Sequence, residues 1–475
     1  MYVFYLCIEG MIFKSWSVPI FFPCSGGVCM VKFGMSKSSL SSSTAPPARQ
    51  LSVPTAQFLL SEWRFLLFGM AMAFYSSLGQ TYFISLFSAE IRAALSLTHG
   101  EFGTYYAIAT TCSAITLLWL GKLADVMRVE RLALLVVSAL CIAAMLFSQI
   151  FNVVTLILGL YLLRLWGQGM TTHTHATAMA RRYVAARGRA LSIAMLGMNI
   201  AESIGPATVV ALMAVVDWRT LWLGIPVILW LALAPNLRRL TRRTALQDGP
   251  GLDGQLKDEK GTGDPTTKHV NEGALYGGQK QWRRAEVIRD PRFWGALLGL
   301  QLVPNFTMTG LMFHQMHIAS LKDVSMAQWS ATYVVYAICA IIGGLITGQL
   351  VDRFTARRVA PHTMIPITIS CLVLWLADGS WGIPLFFMAF GFGAGMPFTA
   401  HTALISELYG TRYLGEIKAV FMPAGVFASA LSPMVMGMLI DRGFGLATLL
   451  GLNMGLAIMA HSSAMLTFAL TRQRR

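Results

Sequence analysis

GKLADVMRVER at residues 121–131 and GQLVDRFTARR at residues 348–358 decide how this chain is read. The two stretches start 227 positions apart (348 − 121 = 227), and Arg131 and Arg358 keep that offset (358 − 131 = 227). Each follows one long apolar run and precedes another. Gly188 and Gly415 repeat the offset in the next polar turn, and Pro206 and Pro433 repeat it inside a later apolar run. The pairs Gly167/Gly169 and Gly393/Gly395 agree within one residue, at 226. Several coincidences at one offset argue for duplication of a unit.

The runs between these landmarks set the unit's size. A bilayer core about 30 Å thick needs roughly 20 apolar residues per helix. Six such runs precede the middle of the chain: Trp63–Ser88, Glu101–Leu120, Leu132–Ile150, Val153–Ala178, Ala190–Val215 and Leu221–Leu237. Six follow it: Phe293–Ala319, Met326–Gln349, Val359–Ala377, Ile383–Glu407, Ile417–Leu439 and Leu446–Thr471. The expected fold is an all-α polytopic membrane protein, with twelve transmembrane helices as two six-helix repeats. Composition agrees: 55% hydrophobic, 12% charged, mean hydropathy +0.59. A soluble chain of 475 residues needs more charge than this to cover its surface.

The net charge of +15 does not point to nucleic acid, because the cations sit between apolar runs. One set of loops and span ends holds Lys122, Arg128, Arg131, Arg181, Arg182, Arg187, Arg189, Arg353, Arg357, Arg358, Arg412 and Lys418. The other holds Arg92, Arg219, Lys322 and Arg442. Twelve against four makes the first side cytoplasmic, with both termini there and the plasma (inner) membrane as the expected location. Residues 1–62 read as a polar leader, with Met35 the expected true start because residues 1–34 lack a signal-peptide pattern. The six-helix bundles are expected at residues 63–237 and 293–471. Residues 238–292 read as a flexible cytoplasmic linker and 472–475 as a basic tail. Cys24 and Cys29 form no CxxC, and Cys112, Cys141, Cys339 and Cys371 fall in or beside apolar runs, so no metal or redox framework is expected.

The loop pattern G-x-x-x-D-(R/K)-x-G-x-(R/K)-(R/K), with Asp217-Trp218-Arg219 after the fifth span, resembles the major facilitator superfamily over about Trp63 to Arg475. The second copy keeps Gly348, Asp352, Arg353, Arg357 and Arg358, with Thr355 in place of a glycine. The first keeps Gly121, Asp125 and Arg131 but has Val126, Arg128 and Glu130 at three expected positions. His314-Gln315-Met316-His317 and Trp329 are faintly similar to the monocarboxylate and oxalate/formate carriers, although the eighth span lacks their buried arginine. The resemblance implies alternating access, a substrate site between the halves, no cofactor and a loop motif that acts as a gate. Physically, the glycine permits a close turn. The aspartate can accept hydrogen bonds from a helix N-terminus, so the motif can latch the halves together on the cytoplasmic side.

Polar residues at mid-span mark the candidate site. Arg164 lies eleven residues after Val153 and Glu202 twelve after Ala190, each about 17–18 Å into its span. Charges at that depth face a cavity or a partner. Arg164 is the expected binder of an anionic group and Glu202 the expected proton carrier. An ion pair between them is the structural alternative. Gln80, Gln168, Asn199, Gln301 and Asn305 are expected to line a polar cavity, against the alternative of single interhelical hydrogen bonds. His314 and His317, at i and i+3, are further proton-coupling candidates, whereas His173, His175 and His401 read as structural. No third ligand stands near His314 and His317, so zinc is not expected. Span ten, with Pro397 among its glycines, is the expected bending helix.

The function expected is secondary active transport of a small organic anion such as a carboxylate, by symport with protons or by exchange, in a monomer within the lipid bilayer. The rivals are a drug or metabolite exporter of the same fold, with Trp166 and Phe306 as lining, and a non-transporting sensor. An enzyme is not expected, since no nucleophile–base set stands out and no phosphate-loop motif is present.

Overall fold

The computed structural model describes residues 55–183, 187–242, 280–377, 379, 381–410 and 413–473. Residues 1–54 of the expected leader with the expected start, residues 243–279 of the expected linker and the end of the basic tail lie outside them, whereas residues 55–62 of that leader are helical and Glu62 is buried against Arg182 at 3.0 Å. Among the described residues there is no strand, and twelve helices are long and apolar enough to cross a membrane. They are α1 Phe58–Gly79, α2 His99–Val126, α3 Val129–Ser148, α4 Val153–Arg182, α5 Gly188–Met213 and α6 Trp218–Leu240. The second half has α7 Phe293–Phe313, α8 Met326–Phe354, α9 Ala356–Leu376, α10 Gly382–Tyr409, α11 Glu416–Asp441 and α12 Leu446–Thr471. Ile142, Ile228, Leu345, Ile458 and Leu466 project from the bundle. Such an apolar jacket suits hydrocarbon rather than water.

Short-range chemistry sets the turns. Thr98 and Glu101 form a capping box at the start of α2: Glu101 N donates to Thr98 Oγ1 at 3.2 Å, and Thr98 N donates to Glu101 Oε2 at 2.9 Å. Asn152/Thr155 and Ser325/Gln328 repeat the device at α4 and α8. The Asp217-Trp218-Arg219 turn has a direct mechanical reading. Asp217 Oδ2 accepts from Arg219 N at 2.9 Å, while Arg219 Nη1 donates to the carbonyls of Ser148 and Ile150 at 2.7 and 3.0 Å. One arginine thereby satisfies orphan carbonyls at the end of α3.

Three expectations change. Span one does not run unbroken to Ser88. Gln80 is extended (φ −86°, ψ 152°), and the chain continues in short pieces, Thr81–Ile84, Ser85–Phe87 and Ser88–Leu95. The break lies where α1 meets α4: a Cβ on Gly79 would stand 2.3 Å from the Leu163 carbonyl oxygen. Span seven stops at Phe313, and a new helix covers Gln315–Leu321. Residues 280–292 are not loose linker. Trp282 N donates to Tyr409 O at 3.0 Å, its ring meets Tyr409 edge-on at 5.5 Å, and Asp290 and Arg292 form a buried ion pair.

The halves meet chiefly at the end away from the termini. One buried core runs from the first half through Leu311, Phe313, Trp329, Tyr333, Phe387 and Met436 of the second. A separate core, including Phe293, Tyr409, Phe421 and Phe468, fills the termini end of the second half alone. The principal contacts between halves pair α2 with α11 and α5 with α8.

Candidate functional site

The closed end is built from glycines, one carboxylate and one amide. A Cβ on Gly103 would stand 2.3 Å from the Pro433 carbonyl oxygen, and one on Gly437 would stand 2.5 Å from that of His99. Hydrogen at these positions lets α2 and α11 touch backbone to backbone. Asp441, the last residue of α11, accepts from His99 N at 3.0 Å and Gly100 N at 2.7 Å. A carboxylate of the second half thus caps a helix N-terminus of the first, the favourable charge–dipole arrangement. Beneath it Phe102 stacks on Phe313 with ring centroids at 5.0 Å, and Tyr106 meets Phe313 at 4.8 Å.

Gln315 ties the other crossing. Its Nε2 donates to Tyr82 O at 3.0 Å and Ser85 Oγ at 2.7 Å, both in the first half. Its Oε1 accepts from Trp329 Nε1 at 3.1 Å and Tyr333 OH at 2.7 Å. All four contacts are buried, so each is worth more than it would be at a wet surface.

The opposite end holds a cavity of ≈ 280 Å³ in the wall of the second half. Gln301, Asn305 and Thr309 come from α7, Tyr336 from α8, His401 and Thr402 from α10 and Lys418 from α11. Lys418 lies four residues after Leu414, where its helix begins, or about 6 Å along the axis at 1.5 Å per residue. It stands near the mouth and has no acidic partner among the described residues. Asn305 Nδ2 donates to Gln301 O at 2.8 Å, which leaves its amide oxygen open. No carboxylate is among the described residues lining the cavity. Glu202 of α5 is half-buried and within electrostatic reach of Tyr82, Tyr333 and Tyr336, so it approaches the same space from the first half.

The structure sorts the residues singled out in the sequence. Gln301 and Asn305 share the cavity wall. Gln168 and Asn199 are half-buried and Gln80 is buried at the break in α1; none of the three lines that cavity. Arg164 and Glu202 are not an ion pair. The Arg164 guanidinium is 1% exposed, donates to Gly79 O at 3.0 Å and faces the Tyr106 ring at 5.1 Å. Its Nε is buried with no hydrogen-bond partner. Helices four and five are neighbours in sequence, but the Arg164 side chain turns to α1 and α2 while Glu202 lies within electrostatic reach of Tyr82 in the first half and of Tyr333 and Tyr336 in the second. Arg164 begins a stretch of wide π-type turns, Arg164–Thr171, whereas α10 is continuous helix through Pro397. Such irregularity lies in span four, and again at Phe293–Leu297 in span seven, not in the span expected to bend. His314 and His317 do not share one helix, because α7 ends at Phe313: His314 is the junction residue and His317 lies in the helix that follows. His99 brings them together, at ring centroids of 5.8 and 4.6 Å, and His314 Nε2 contacts Pro433 O at 3.1 Å.

The repeated loop motif is not joined across the halves in this conformation. Asp125 pairs with Arg181, which also donates to Ala124 O at 2.6 Å; both lie in the first half with Gly121, whose carbonyl contacts His173 Nε2 at 3.1 Å. Arg131 and Arg358 are exposed, and Asp352 is exposed without a partner among the described residues. Arg353 lies over Phe354, and a Cβ on Gly348 would meet nothing within 4 Å. Arg357 donates to Phe468 O and to Thr471 Oγ1 at 2.9 Å. The helix N-terminus beside the second motif is capped by Glu407, which accepts from Ala356 N at 2.6 Å and Arg357 N at 3.3 Å.

Sequence reasoning missed three working residues. Lys418 was counted only as a topology charge, Gln315 only as part of a faint similarity, and Asp441 not at all.

No curated protein matches the chain significantly. Among solved structures, a bacterial homologue of the human lysosomal transporter Spinster, in an inward-facing and unoccupied conformation, superposes with a TM-score of 0.58 at 15% identity. It covers 86% of this chain and 94% of its own. The nucleoside transporter NupG superposes with a TM-score of 0.62 at 10% identity, covering 85% and 99%. At such identity these establish a shared fold. The family model described as Major Facilitator Superfamily matches residues 69–433, well over half the chain. Twelve apolar helices, a transporter fold and that match identify an integral multi-pass membrane transporter, and the chain belongs to the Major Facilitator Superfamily.

Proposed function

We propose that this protein carries a small organic anion, such as a carboxylate, by alternating access coupled to protons. The observation that carries the reading is the lining of the ≈ 280 Å³ cavity: a lysine at the mouth, amides and hydroxyls within, and no carboxylate. A cation with hydrogen-bond donors and no competing anion suits an anionic solute. The volume falls at the low end of small-ligand sites, about 300–1,000 Å³, which favours a small acid over a drug-sized molecule. Trp166 and Phe306, on which an exporter reading would lean, are not among the cavity's lining.

Glu202 is the proton carrier in this reading. It faces a cluster of tyrosines at the seam between the halves. A carboxylate there is costly to keep charged while the seam is shut. Arg164 is the second anion contact. Tyr106 covers it, and Tyr106 is held down by Phe313 of the other half, so parting of the closed end uncovers the guanidinium. With the termini end cytoplasmic, the described conformation is closed to the outside and open inward. The protein acts as a monomer in the plasma membrane, and residues 243–279 connect the two bundles.

Uptake of a labelled acid panel into proteoliposomes, with and without a pH gradient, tests this. Saturable uptake of one or more small acids, raised by an inward proton gradient and made insensitive to it by Glu202→Gln, is the expected result. Transport of neutral or cationic solutes only would overturn the assignment.

A further inference from the structure

A second and larger cavity lies outside the solute path. It is a groove of ≈ 800 Å³ between α1, α5 and α6, entirely within the first half. Its mouth at the termini end carries Arg64, Arg239 and Arg242. None of the three has an acidic partner among the described residues, and no carboxylate is among those lining the groove. Trp63 is 53% exposed beside them, with Arg64 over its ring at 5.5 Å. An exposed tryptophan beside arginines at a helix end marks the membrane–water interface.

The rest of the groove is apolar, with Leu67, Phe74, Leu229 and Leu233 along its walls. From Arg64 to Phe74 is ten residues, about 15 Å of helix. That is half of a hydrocarbon core of about 30 Å. Cations at the surface above one leaflet's depth of apolar wall match one molecular shape: a phosphate headgroup with acyl chain below it. A water-soluble anion would leave the apolar length bare, and an uncharged lipid would leave three guanidinium groups without a counter-ion.

We infer that the groove between α1, α5 and α6 binds an anionic phospholipid of the leaflet at the termini end, its phosphate held by Arg64, Arg239 and Arg242. The helices involved give the site a consequence. α5 carries Glu202 and packs on α8, so a lipid seated between the packed α1–α5 pair and α6 bears on a helix that works at the seam.

Native mass spectrometry of the full chain, released from mixed phosphatidylglycerol and phosphatidylcholine micelles, tests the site. The wild type should retain one phosphatidylglycerol in preference to phosphatidylcholine. An Arg64→Gln/Arg239→Gln/Arg242→Gln protein should lose that preference by about a hundredfold, at about fivefold per cation near the surface. Ala232→Phe, which narrows the apolar wall without touching the charges, should reduce retention of both lipids. If the triple variant does not elute as a folded particle, Arg242→Gln alone should show about a fivefold loss. Equal retention of the two lipids by the wild type would overturn the inference. So would unchanged preference in the arginine variants, displacement by glycerol phosphate without acyl chains, or lipid binding that occurs only after residues 243–279 are deleted.

Discussion

The two ends of the bundle use the same chemistry to opposite effect. At one end Asp441 caps the N-terminus of α2 across the halves, and Gln315 reaches from the second half to Tyr82 and Ser85 of the first. At the other end the matching interactions stay at home. Glu407 caps the start of α9, and Asp125 pairs with Arg181, each inside its own half. A carboxylate on a helix N-terminus is therefore a clasp in one place and a splint in the other. What separates them is whether the capped helix belongs to the same rigid unit. In the proposed alternating-access cycle, contacts that cross must break once per turnover, so they can be neither too weak nor too numerous.

The comparison can be broken most forcefully at Gly103. Gly103→Val places two methyl groups where a single Cβ already stands 2.3 Å from Pro433 O. Overpacking of that kind costs about 1–3 kcal/mol, enough to move the population away from this conformation by roughly 5- to 150-fold. Spin-label distances across the His99/Asp441 contact should lengthen, and uptake should fall to near background. An unchanged distance distribution would mean that α2 and α11 do not set the closed state.

A subtler weakening comes from Asp441→Asn, which keeps the shape and removes the charge from a helix cap. Loss of the charge–dipole part is worth about 1 kcal/mol or less, so the closed fraction should drop by no more than about fivefold. Turnover should change while the folded yield does not. Thermal unfolding as poor as that of Gly103→Val would show that the cap serves folding rather than gating.

The smallest effect on this conformation is expected from Asp352→Asn. Its carboxylate is exposed and has no partner among the described residues, so stability should stay within about 0.5 kcal/mol of wild type. If the loop motif latches the halves when the other end parts, turnover should still slow at matched protein levels. Asp125→Asn loses the Arg181 pair but stays within one half, so it should slow transport less. Identical rates for both variants and wild type would remove the latch from the account.

How much of this the sequence carried depends on distance along the chain. Span number, the duplication and the polar pair Gln301/Asn305 were legible because each is local: a run of apolar residues, a fixed offset, an i,i+4 spacing on one helix. The break of α1 after Gly79 was not, because it lies against α4, where the Leu163 backbone approaches closely and the Arg164 side chain, 85 residues away, donates to the Gly79 carbonyl. The pairing of Arg164 with Glu202 failed for a related reason. Two helices joined by a short turn can each show its polar face to a third helix. Lys418 was hidden by its own chemistry, since a lysine near a span end is the ordinary sign of topology and only the packing of α7, α8 and α10 around it makes a wall. Asp441 and Gln315 lie at span ends, where polar residues carry no signal until the other half is placed against them.

If an anionic solute is drawn to the second-half cavity, Lys418 is the residue that draws it. The measurement is concentration-dependent uptake of the best acid of the panel by wild type, Lys418→Arg and Lys418→Gln in proteoliposomes, with folded protein matched by size exclusion. Removal of one charge-assisted contact worth about 1.5–3 kcal/mol should raise KM by roughly 10- to 150-fold in Lys418→Gln. Lys418→Arg should recover most of the affinity, and a neutral solute should be indifferent to both. An unchanged KM for the acid in Lys418→Gln, with folding intact, would contradict the account.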